Sequence, residues 1–220
     1  MHPSDCDEVK AVGQILSGIE SPVVFEFGAF DGMITDQLLG YCKSRPALWA
    51  AWECDPRNIS RFKSGPAARS GVRLVECAIG DHDGQITLHQ SSADDKEWTA
   101  SSSTCGPSPA MAANFPWLRF REQDRLQVPC RSLDSYCQEH GVDHIDVIWC
   151  DVEGAERKMI EGGRRMLAKT RYLFCEVWQA AIYQDMWTYP ELLGNMPGWS
   201  VVRKFHGDVL LKNDGLGGGT

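Results

Sequence analysis

Residues 23–32 read VVFEFGAFDG, an apolar run that ends at Gly28 and is followed by a second glycine, Gly32. A short, almost uniformly apolar run is typical of a strand that is buried on both faces, as in a parallel sheet. Glycines at a strand end let a ligand approach the backbone, and the helix predicted over 32–42 offers unpaired N–H groups at its start. The segment therefore predicts either a ligand-binding turn at the carboxyl edge of a sheet or a plain strand–helix turn that needs glycine.

Apolar runs of strand length recur along the chain, and segments with helical spacing fill most of the intervals between them. This alternation predicts an α/β fold, doubly wound and Rossmann-like, with a mostly parallel sheet. Two last strands are predicted at 199–205 and 208–212, with only His206 and Gly207 between them. Because so short a connection joins antiparallel strands, we expect the sheet to end in an antiparallel hairpin. The other predicted elements are strands at 23–27, 47–53, 72–79, 85–89, 145–150 and 172–178, and helices at 7–19, 32–42, 132–140 and 155–168.

Residues 90–128 differ from the rest of the chain, with a Ser101–Thr104 run, scattered aromatic side chains and no sustained period. An irregular stretch of this length inside a compact domain is usually functional or disordered. We therefore expect a single domain over 1–213 that carries an inserted loop or lid at about 90–128. The glycine-rich end, 214–220, is expected to be a disordered tail.

Composition and charge narrow the classes of partner and location. The formal net charge is −8 over 220 residues, and no run of Lys and Arg is dense enough to follow a phosphate backbone. This balance disfavours nucleic acid and fits a small neutral or cationic substrate. No apolar stretch approaches the ~18–20 residues that span a bilayer. The nine cysteines form no C-x-x-C pair, and Met1–Asp7 lacks the apolar core of a signal peptide, so we expect a cytoplasmic protein without a zinc site.

Acidic residues follow the predicted strands at the same sheet edge as Gly28. Glu53 ends the second strand, where a carboxylate can accept hydrogen bonds from both hydroxyls of a ribose. Asp81 follows the third strand and either bonds an adenine amino group or caps a turn. The glycine turn and Glu53 together predict an adenosine-type ligand. The spacing G-x-x-x-G, rather than G-x-G-x-x-G, disfavours an NAD-type oxidoreductase, which is the first alternative.

The segment DVEGAE at 151–156 follows the predicted strand at 145–150. A carboxylate at Asp151 is placed to orient or deprotonate a substrate hydroxyl, although acids at a helix start also cap the helix and suit its dipole. Glu176 is a lone acid within an apolar strand. Such a residue is paired, protonated, functional, or turned to solvent at the strand end.

These segments occur in an order that resembles one known family. They are EFGAFDGMIT at 26–35, WECDP at 52–56, AIGD at 78–81, a stretch from Val128-Pro129 to Leu133-Asp134, and DVEGAE at 151–156. Over roughly residues 22–178 the chain resembles the FkbM family of methyltransferases, and DVEGAE is the most specific part of the resemblance. The resemblance implies a class I methyltransferase fold with seven strands, the last of them antiparallel. It also implies S-adenosyl-L-methionine as the methyl donor and a hydroxyl acceptor on a sugar or secondary metabolite.

The resemblance also implies a set of donor-binding residues. Gly28 and Gly32 would flank the methionine part of the donor, whose carboxylate Thr35 would reach. Asp31 stands where many members carry Asn, and its charge suits the donor's ammonium group. The set implied is Glu26, where Asp is commoner, with Gly28, Asp31, Gly32, Thr35, Glu53 at the ribose, and Ala78 and Asp81 by the adenine.

An alcohol has a pKa far above 7, so methyl transfer to it needs alignment and a base. We expect Asp151 to be that base, with Glu153 or Glu176 in support. The alternative is a divalent ion held by Asp151 and Glu176, although no ligand spacing in the sequence demands a metal ion. The second alternative, from another class, is a non-catalytic binding protein on a degenerate methyltransferase fold.

The aromatic residues of the 90–128 segment fit the same hypothesis. Trp98, Phe115 and Trp117 are expected to line an acceptor pocket, where they would stack on a sugar face or exclude water. The alternative is a surface loop without a role in the reaction.

Overall fold

The computed structural model is described over residues 6–94 and 98–216. A central sheet of seven strands has helices on both faces, and a second sheet of three strands lies beside it. The strands are β1 (Val23–Phe27), β2 (Leu48–Glu53), β3 (Arg73–Glu76), β4 (Ala78–Gly80), β5 (Gly84–Ala93), β6 (Leu118–Ser132), β7 (Ile145–Cys150), β8 (Thr170–Glu176), β9 (Trp199–Lys204) and β10 (Asp208–Asn213). The helices are α1 (Asp7–Leu16), α2 (Met33–Leu39), α3 (Pro56–Ser64), α4 (Pro109–Asn114), α5 (Leu133–His140), α6 (Glu156–Gly162), α7 (Arg164–Leu167) and α8 (Tyr189–Gly194), with short 3₁₀ turns at Pro66–Arg69 and Asp214–Leu216.

The central sheet confirms the predicted α/β class and its terminal hairpin. Its strand order is β3-β2-β1-β7-β8-β10-β9. Neighbouring strands are parallel except at β10, which pairs antiparallel with both β8 and β9. The chain runs from β1 toward one edge of the sheet and later returns through β7 toward the other. The reversal of order between β1 and β7 makes the gap beyond their carboxyl ends the expected ligand site of an open α/β sheet.

Strand β1 is apolar throughout because both of its faces are covered. Phe25 and Phe27 enter one core layer, whereas Val24 enters the other. Pairing with β7 holds the strand in place, in a register that sets Val24 against Val147. The backbone N–H of Val23 also donates to Oδ2 of Asp146 at 2.9 Å. Residues 23–27 therefore form a strand in the interior of the central sheet, between β2 and β7.

The expectation of an irregular segment over 90–128 is wrong at both ends. Strand β5 continues to Ala93, and β6 begins at Leu118 and pairs with it antiparallel, while β4 pairs with the far end of β6. Strand β6 escaped prediction because most of its side chains are exposed or half-buried and many are charged, so it carries no apolar run. Helix α4 also interrupts the stretch between the two strands.

Three other boundaries differ from expectation. The strand predicted over 72–79 bends at Cys77, so that β3 joins the central sheet and β4 the second sheet. The single helix predicted over 155–168 is broken at Gly163 into α6 and α7. In the predicted tail, Asp214–Leu216 forms a 3₁₀ turn rather than disordered chain. The rest of that tail, 217–220, lies outside the described residues.

Across the residues that the structure describes, none of the helices combines the length and the apolar character that a membrane crossing requires.

Helix α6 packs directly on the backbone of β4, and Gly162 makes this contact possible. A Cβ atom at Gly162 would lie 2.1 Å from the carbonyl oxygen of Gly80. We expect Gly162→Ala to lower the free energy of unfolding by about 1–3 kcal/mol through overpacking. Gly194, the last residue of α8, is a matched control because a Cβ there would meet nothing within 4 Å. Gly194→Ala should change stability by no more than about 0.5 kcal/mol. Urea denaturation followed by circular dichroism measures both, and equal midpoints for the two variants would contradict this packing.

Candidate active site

A cavity opens at the carboxyl ends of β1, β2 and β7, where the strand order reverses. With its open mouth included, it spans about 920 Å³. Residues from the turn after β1, the ends of β2 and β4, and the segment after β7 form its wall. Of the residues singled out in the sequence, those that line it are Gly28, Asp31, Glu53, Ala78, Asp151 and Glu153.

Gly28 brings two strand ends into contact. Its φ is +81°, and a Cβ there would lie 1.7 Å from the carbonyl oxygen of Asp151, so no side chain can be accommodated. The N–H of Asp151 donates to the carbonyl of Phe27, and the N–H of Gly28 donates to that of Trp52, both at 3.0 Å. These contacts join the ends of β1, β2 and β7 around one bare stretch of backbone that faces the cavity.

Glu53 is buried at the end of β2 and faces this cavity. Its Oε2 accepts the N–H of Phe30 at 2.9 Å, and its Oε1 accepts the N–H groups of Cys54 and Asp55, each at 2.8 Å. Burial raises the pKa of Glu53 to about 7, while the three N–H donors favour its charged form. The carboxyl group is thus held rigidly, and Oε2 retains capacity to accept a ligand hydroxyl.

Thr35 and Glu26 do not line the cavity, in contrast to the expected contact of Thr35 with the donor. Both side chains are fully buried, and the Thr35 hydroxyl donates to Oε2 of Glu26 at 2.7 Å. Trp49 Nε1 donates to the same oxygen at 2.9 Å. Burial raises the pKa of Glu26 to about 7, and its Oε1 has no hydrogen-bond partner in the described part of the chain. This pair lies beneath the wall of the cavity and ties α2 to β1.

The structure also places Gly32 and Asp81 away from the cavity. Gly32 has a φ of +82° and precedes α2, where a Cβ would collide with Ala67 and Phe62. Asp81 is exposed and pairs with Nδ1 of His82 at 2.6 Å. Gly32 thus packs against α3 and the turn at Pro66–Arg69, and Asp81 pairs with His82 at the surface; a contact of either residue with the donor stays a prediction.

Other wall residues were missed from the sequence. Phe30 has a φ of +52°, which is unusual for an aromatic residue, and a sequence carries no signal for such strain. Cys54 follows β2 and Cys77 precedes β4, and nothing in the sequence distinguishes these two cysteines from other apolar positions. The missed wall residues include Phe30, Cys54, Asn58, Cys77, Leu88, Ser102, Thr104, Trp149 and Val152.

Four carboxyl groups converge beside the cavity and will be called the acidic group: Asp151, Glu153, Glu156 and Glu176. The Asp151 side chain is open to the cavity yet lies deep within the fold, and this enclosure raises its pKa. Burial, and then the charge of Asp151, raise the pKa of Glu153. Within the described chain no member forms an ion pair, so no cation offsets the burial that raises the pKa of each member.

Neutral and backbone donors position the acidic group instead. Tyr183 donates its hydroxyl proton to Oε2 of Glu153 at 2.7 Å. The N–H of Val152 donates to Oε1 of Glu156 at 3.1 Å. The sequence alone indicates only that Glu156 lies at a helix start, whereas this contact places it in the acidic group. Glu176 does not line the cavity itself, but burial and the charges of Glu153 and Asp151 raise its pKa well above the usual range.

Within the two described ranges, 6–94 and 98–216, no group of three or more His, Cys, Asp or Glu side chains has the geometry to hold a metal ion.

Part of the 90–128 segment covers the cavity. Trp98 stacks on Phe30 with ring centroids 5.1 Å apart, and its Nε1 donates to Oδ1 of Asn58 at 2.9 Å. Ser102 donates to Oδ2 of Asp55 at 3.0 Å and lines the cavity with Thr104. The segment thus contributes both apolar cover and hydroxyl groups.

Comparisons with known proteins agree with this arrangement. The profile of the methyltransferase FkbM domain matches residues 27–206. The chain is 35% identical over 217 residues to the 2-O-methyltransferase NoeI of Sinorhizobium fredii (strain NBRC 101917 / NGR234), an alignment that covers 94% of this chain and 87% of the relative.

Solved structures show the same fold at low identity. Methyltransferase FkbM from Methylobacillus flagellatus KT superposes with a TM-score of 0.54 at 15% identity over 87% of this chain, which spans only 43% of that protein. An rRNA methylase from Streptococcus thermophilus gives a TM-score of 0.50 at 10% identity, with 95% and 98% of the two chains covered. At such identities the likeness concerns the fold. The profile match over most of the chain and the curated relative confirm the resemblance seen in the sequence: the protein belongs to the FkbM family of methyltransferases.

Proposed function

We propose that this methyltransferase moves the methyl group of S-adenosyl-L-methionine to a hydroxyl group of a sugar or another small hydroxylated molecule. The observation that carries the proposal is the single cavity in which Glu53 and Asp151 both lie at strand ends. Support for an oxygen acceptor comes from the relative described as a 2-O-methyltransferase. Family membership leaves no place for the NAD-type oxidoreductase alternative.

The cavity wall suits the donor. When bound, the donor supplies a methyl carbon on a sulfonium sulfur. In this proposal Glu53 accepts hydrogen bonds from the ribose hydroxyls, Ala78 lies by the adenine, and Gly28 leaves room for the methionine part. Asp31, whose Oδ1 accepts the N–H of Met33 at 3.0 Å, presents a carboxylate at the mouth for the ammonium group. Phe30 beneath Trp98 keeps water from this end.

The acceptor hydroxyl is to be deprotonated by Asp151. A general base works best when its pKa lies near the working pH, and enclosure moves the pKa of Asp151 in that direction. In this proposal Glu153 and Glu176 support Asp151 as neighbours that keep their protons: burial and the charge of Asp151 raise the pKa values of both, which leaves Asp151 as the carboxylate that takes a proton.

A cytoplasmic location and a small-molecule partner complete the proposal. All nine cysteines are free, which is in keeping with a reducing compartment. The net charge of −8 and the acidic group both disfavour a polyanionic partner such as nucleic acid.

Donor binding tests the role of Glu53. We expect Glu53→Ala to weaken the binding of S-adenosylhomocysteine by roughly tenfold to a hundredfold, because a charged hydrogen-bond acceptor of the ribose is lost. Glu76 is a matched control: it ends the neighbouring strand β3 in register with Glu53 but lies at the surface. Glu76→Ala should bind normally in the same calorimetric titration. Full affinity in Glu53→Ala would remove this residue from the donor site, and absence of binding by the unaltered protein would favour the non-catalytic alternative.

Turnover tests the role of Asp151. We expect Asp151→Asn to retain donor affinity while kcat falls by about 10²–10⁴-fold, as for loss of a general base. In the unaltered enzyme kcat should decline as pH is lowered, at a higher pH than an exposed Asp would cause, because the base must be deprotonated and its pKa is raised. Asp143→Asn is the control, because this acid is exposed and precedes β7 at the opposite end of the strand from Asp151. Product mass spectrometry over a panel of hydroxylated acceptors provides the assay, and turnover within a few-fold of the parent would end the assignment.

Hydrogen exchange tests whether residues 98–104, which cover the cavity, become more protected when a ligand is bound. We expect amides of residues 98–104 to exchange more slowly with solvent when S-adenosylhomocysteine is bound, because the ligand fills the space beneath Trp98 and Ser102. Residues of the edge strand β9, which lie far from the cavity, provide the internal control. Hydrogen exchange read by mass spectrometry gives both, and unchanged protection at 98–104 would show that the segment is not a lid.

A further inference from the structure

Tyr183 lies in the loop between β8 and α8 and joins two segments that meet beside the acidic group. Its side chain is buried, with 1% of the residue exposed. The hydroxyl donates to Oε2 of Glu153 at 2.7 Å and lies 3.3 Å from the carbonyl oxygen of Ser101. One hydroxyl group therefore contacts both the loop that follows β7 and the segment that covers the cavity.

The backbone and the Cβ atom of Tyr183 are held in place as well. The N–H of Gln184 donates to the carbonyl of Gly106 at 2.8 Å, and Pro107 pairs with Tyr183 in an antiparallel bridge. On the other side, the Cβ of Tyr183 packs against Gly154, where an added Cβ would lie only 2.6 Å from it. Packing and main-chain pairing thus fix the position of the Tyr183 hydroxyl before any ligand binds.

Glu153, which accepts this hydrogen bond, has a conformation that its neighbours impose. Its φ of +54° is strained for a residue with a side chain, and such a conformation persists only where the surroundings enforce it. The hydroxyl of Ser103 donates to the carbonyl oxygen of Glu153 and holds its backbone. Tyr183 holds the far end of the side chain, where Glu153 lines the cavity together with Asp151.

We propose that Tyr183 is a positioning residue for methyl transfer, because its hydroxyl holds the carboxyl group of Glu153 in one orientation beside Asp151. The inference rests on the proposed function and concerns the same site. The charge of Asp151 acts on Glu153, so the direction in which the Glu153 carboxyl turns alters the electrostatic environment of the base. Dipoles that are already oriented lower a reaction barrier, since they need not reorganise during the reaction. Tyr183 does not line the cavity, and it therefore acts through Glu153.

Tyr183→Phe tests this role because it removes one oxygen atom and keeps the ring. Tyr136→Phe is the matched control: Tyr136 is 3% exposed, and its buried hydroxyl has no hydrogen-bond partner among the described residues. We expect kcat to fall by roughly threefold to tenfold in Tyr183→Phe, as for the loss of one hydrogen bond, with unchanged affinity for S-adenosylhomocysteine. Tyr136→Phe should keep the parental values of both. The assay uses the acceptor that product mass spectrometry identifies in the panel.

Two further measurements distinguish positioning from a general contribution to stability. Glu153→Gln should lower kcat, and adding Tyr183→Phe to it should lower kcat no further, because the group that Tyr183 holds is already altered. In the infrared spectrum, the carboxyl band that Glu153→Gln abolishes should move to higher frequency in Tyr183→Phe, since the hydrogen bond that weakens the C=O bond is lost. The same band should stay in place in Tyr136→Phe.

Parental kcat in Tyr183→Phe, an additive loss in the double variant, or an unmoved infrared band would each overturn the proposal. Loss of S-adenosylhomocysteine binding or of stability in urea by Tyr183→Phe would also overturn it, since the residue would then have a structural role alone. Calorimetry on the unaltered protein separates the two levels of failure. If that protein does not bind S-adenosylhomocysteine, the proposed function fails; if it binds and Tyr183→Phe turns over as the parent does, only the role of Tyr183 fails.

Discussion

The close approach of Gly28 to the carbonyl of Asp151 is the constraint on which the site depends. A side chain at Gly28 would drive the ends of β1 and β7 apart, because its Cβ would lie 1.7 Å from that oxygen. With the two strand ends in contact, the stretch that forms the donor wall and the stretch that carries the acidic group share one edge of the sheet. In the proposed reaction, backbone packing thus sets the distance between the methyl donor and the base, and alignment of this kind is a large part of what a displacement reaction requires.

The acidic group is a destabilising feature of the fold. Carboxyl groups placed close together and away from water, without ion pairs in the described chain, oppose each other's ionisation. Tyr183, Trp178 and the N–H of Val152 compensate in part by donating hydrogen bonds. Glu153 also has a φ of +54°, a strained conformation for this residue type. Buried carboxyl groups and a strained backbone lower stability locally, and such features beside a cavity are typical of active sites whose pKa values are shifted.

How far the sequence predicts the site depends on the element that carries each residue. The positions of Gly28, Glu53 and Asp151 were predictable because parallel strand ends meet at one edge. Thr35 was not, because the rotation of α2 turns its hydroxyl inward to Glu26 and no local pattern sets that rotation. The second sheet was missed because β6 has a charged, exposed character, and its pairing with β5 is a long-range property.

The parallel pairing of β1 with β7 also bears on how the chain folds. The contact between Val23 and Asp146 closes a loop of 123 residues, and most of the donor wall lies within that loop while the acidic group lies beyond it. Closing so long a loop costs chain entropy before any contact repays it, and folds dominated by distant pairings form slowly. Neither half of the polypeptide contains a site. The site is therefore complete only once β1 and β7 have paired and the two halves of the central sheet have joined.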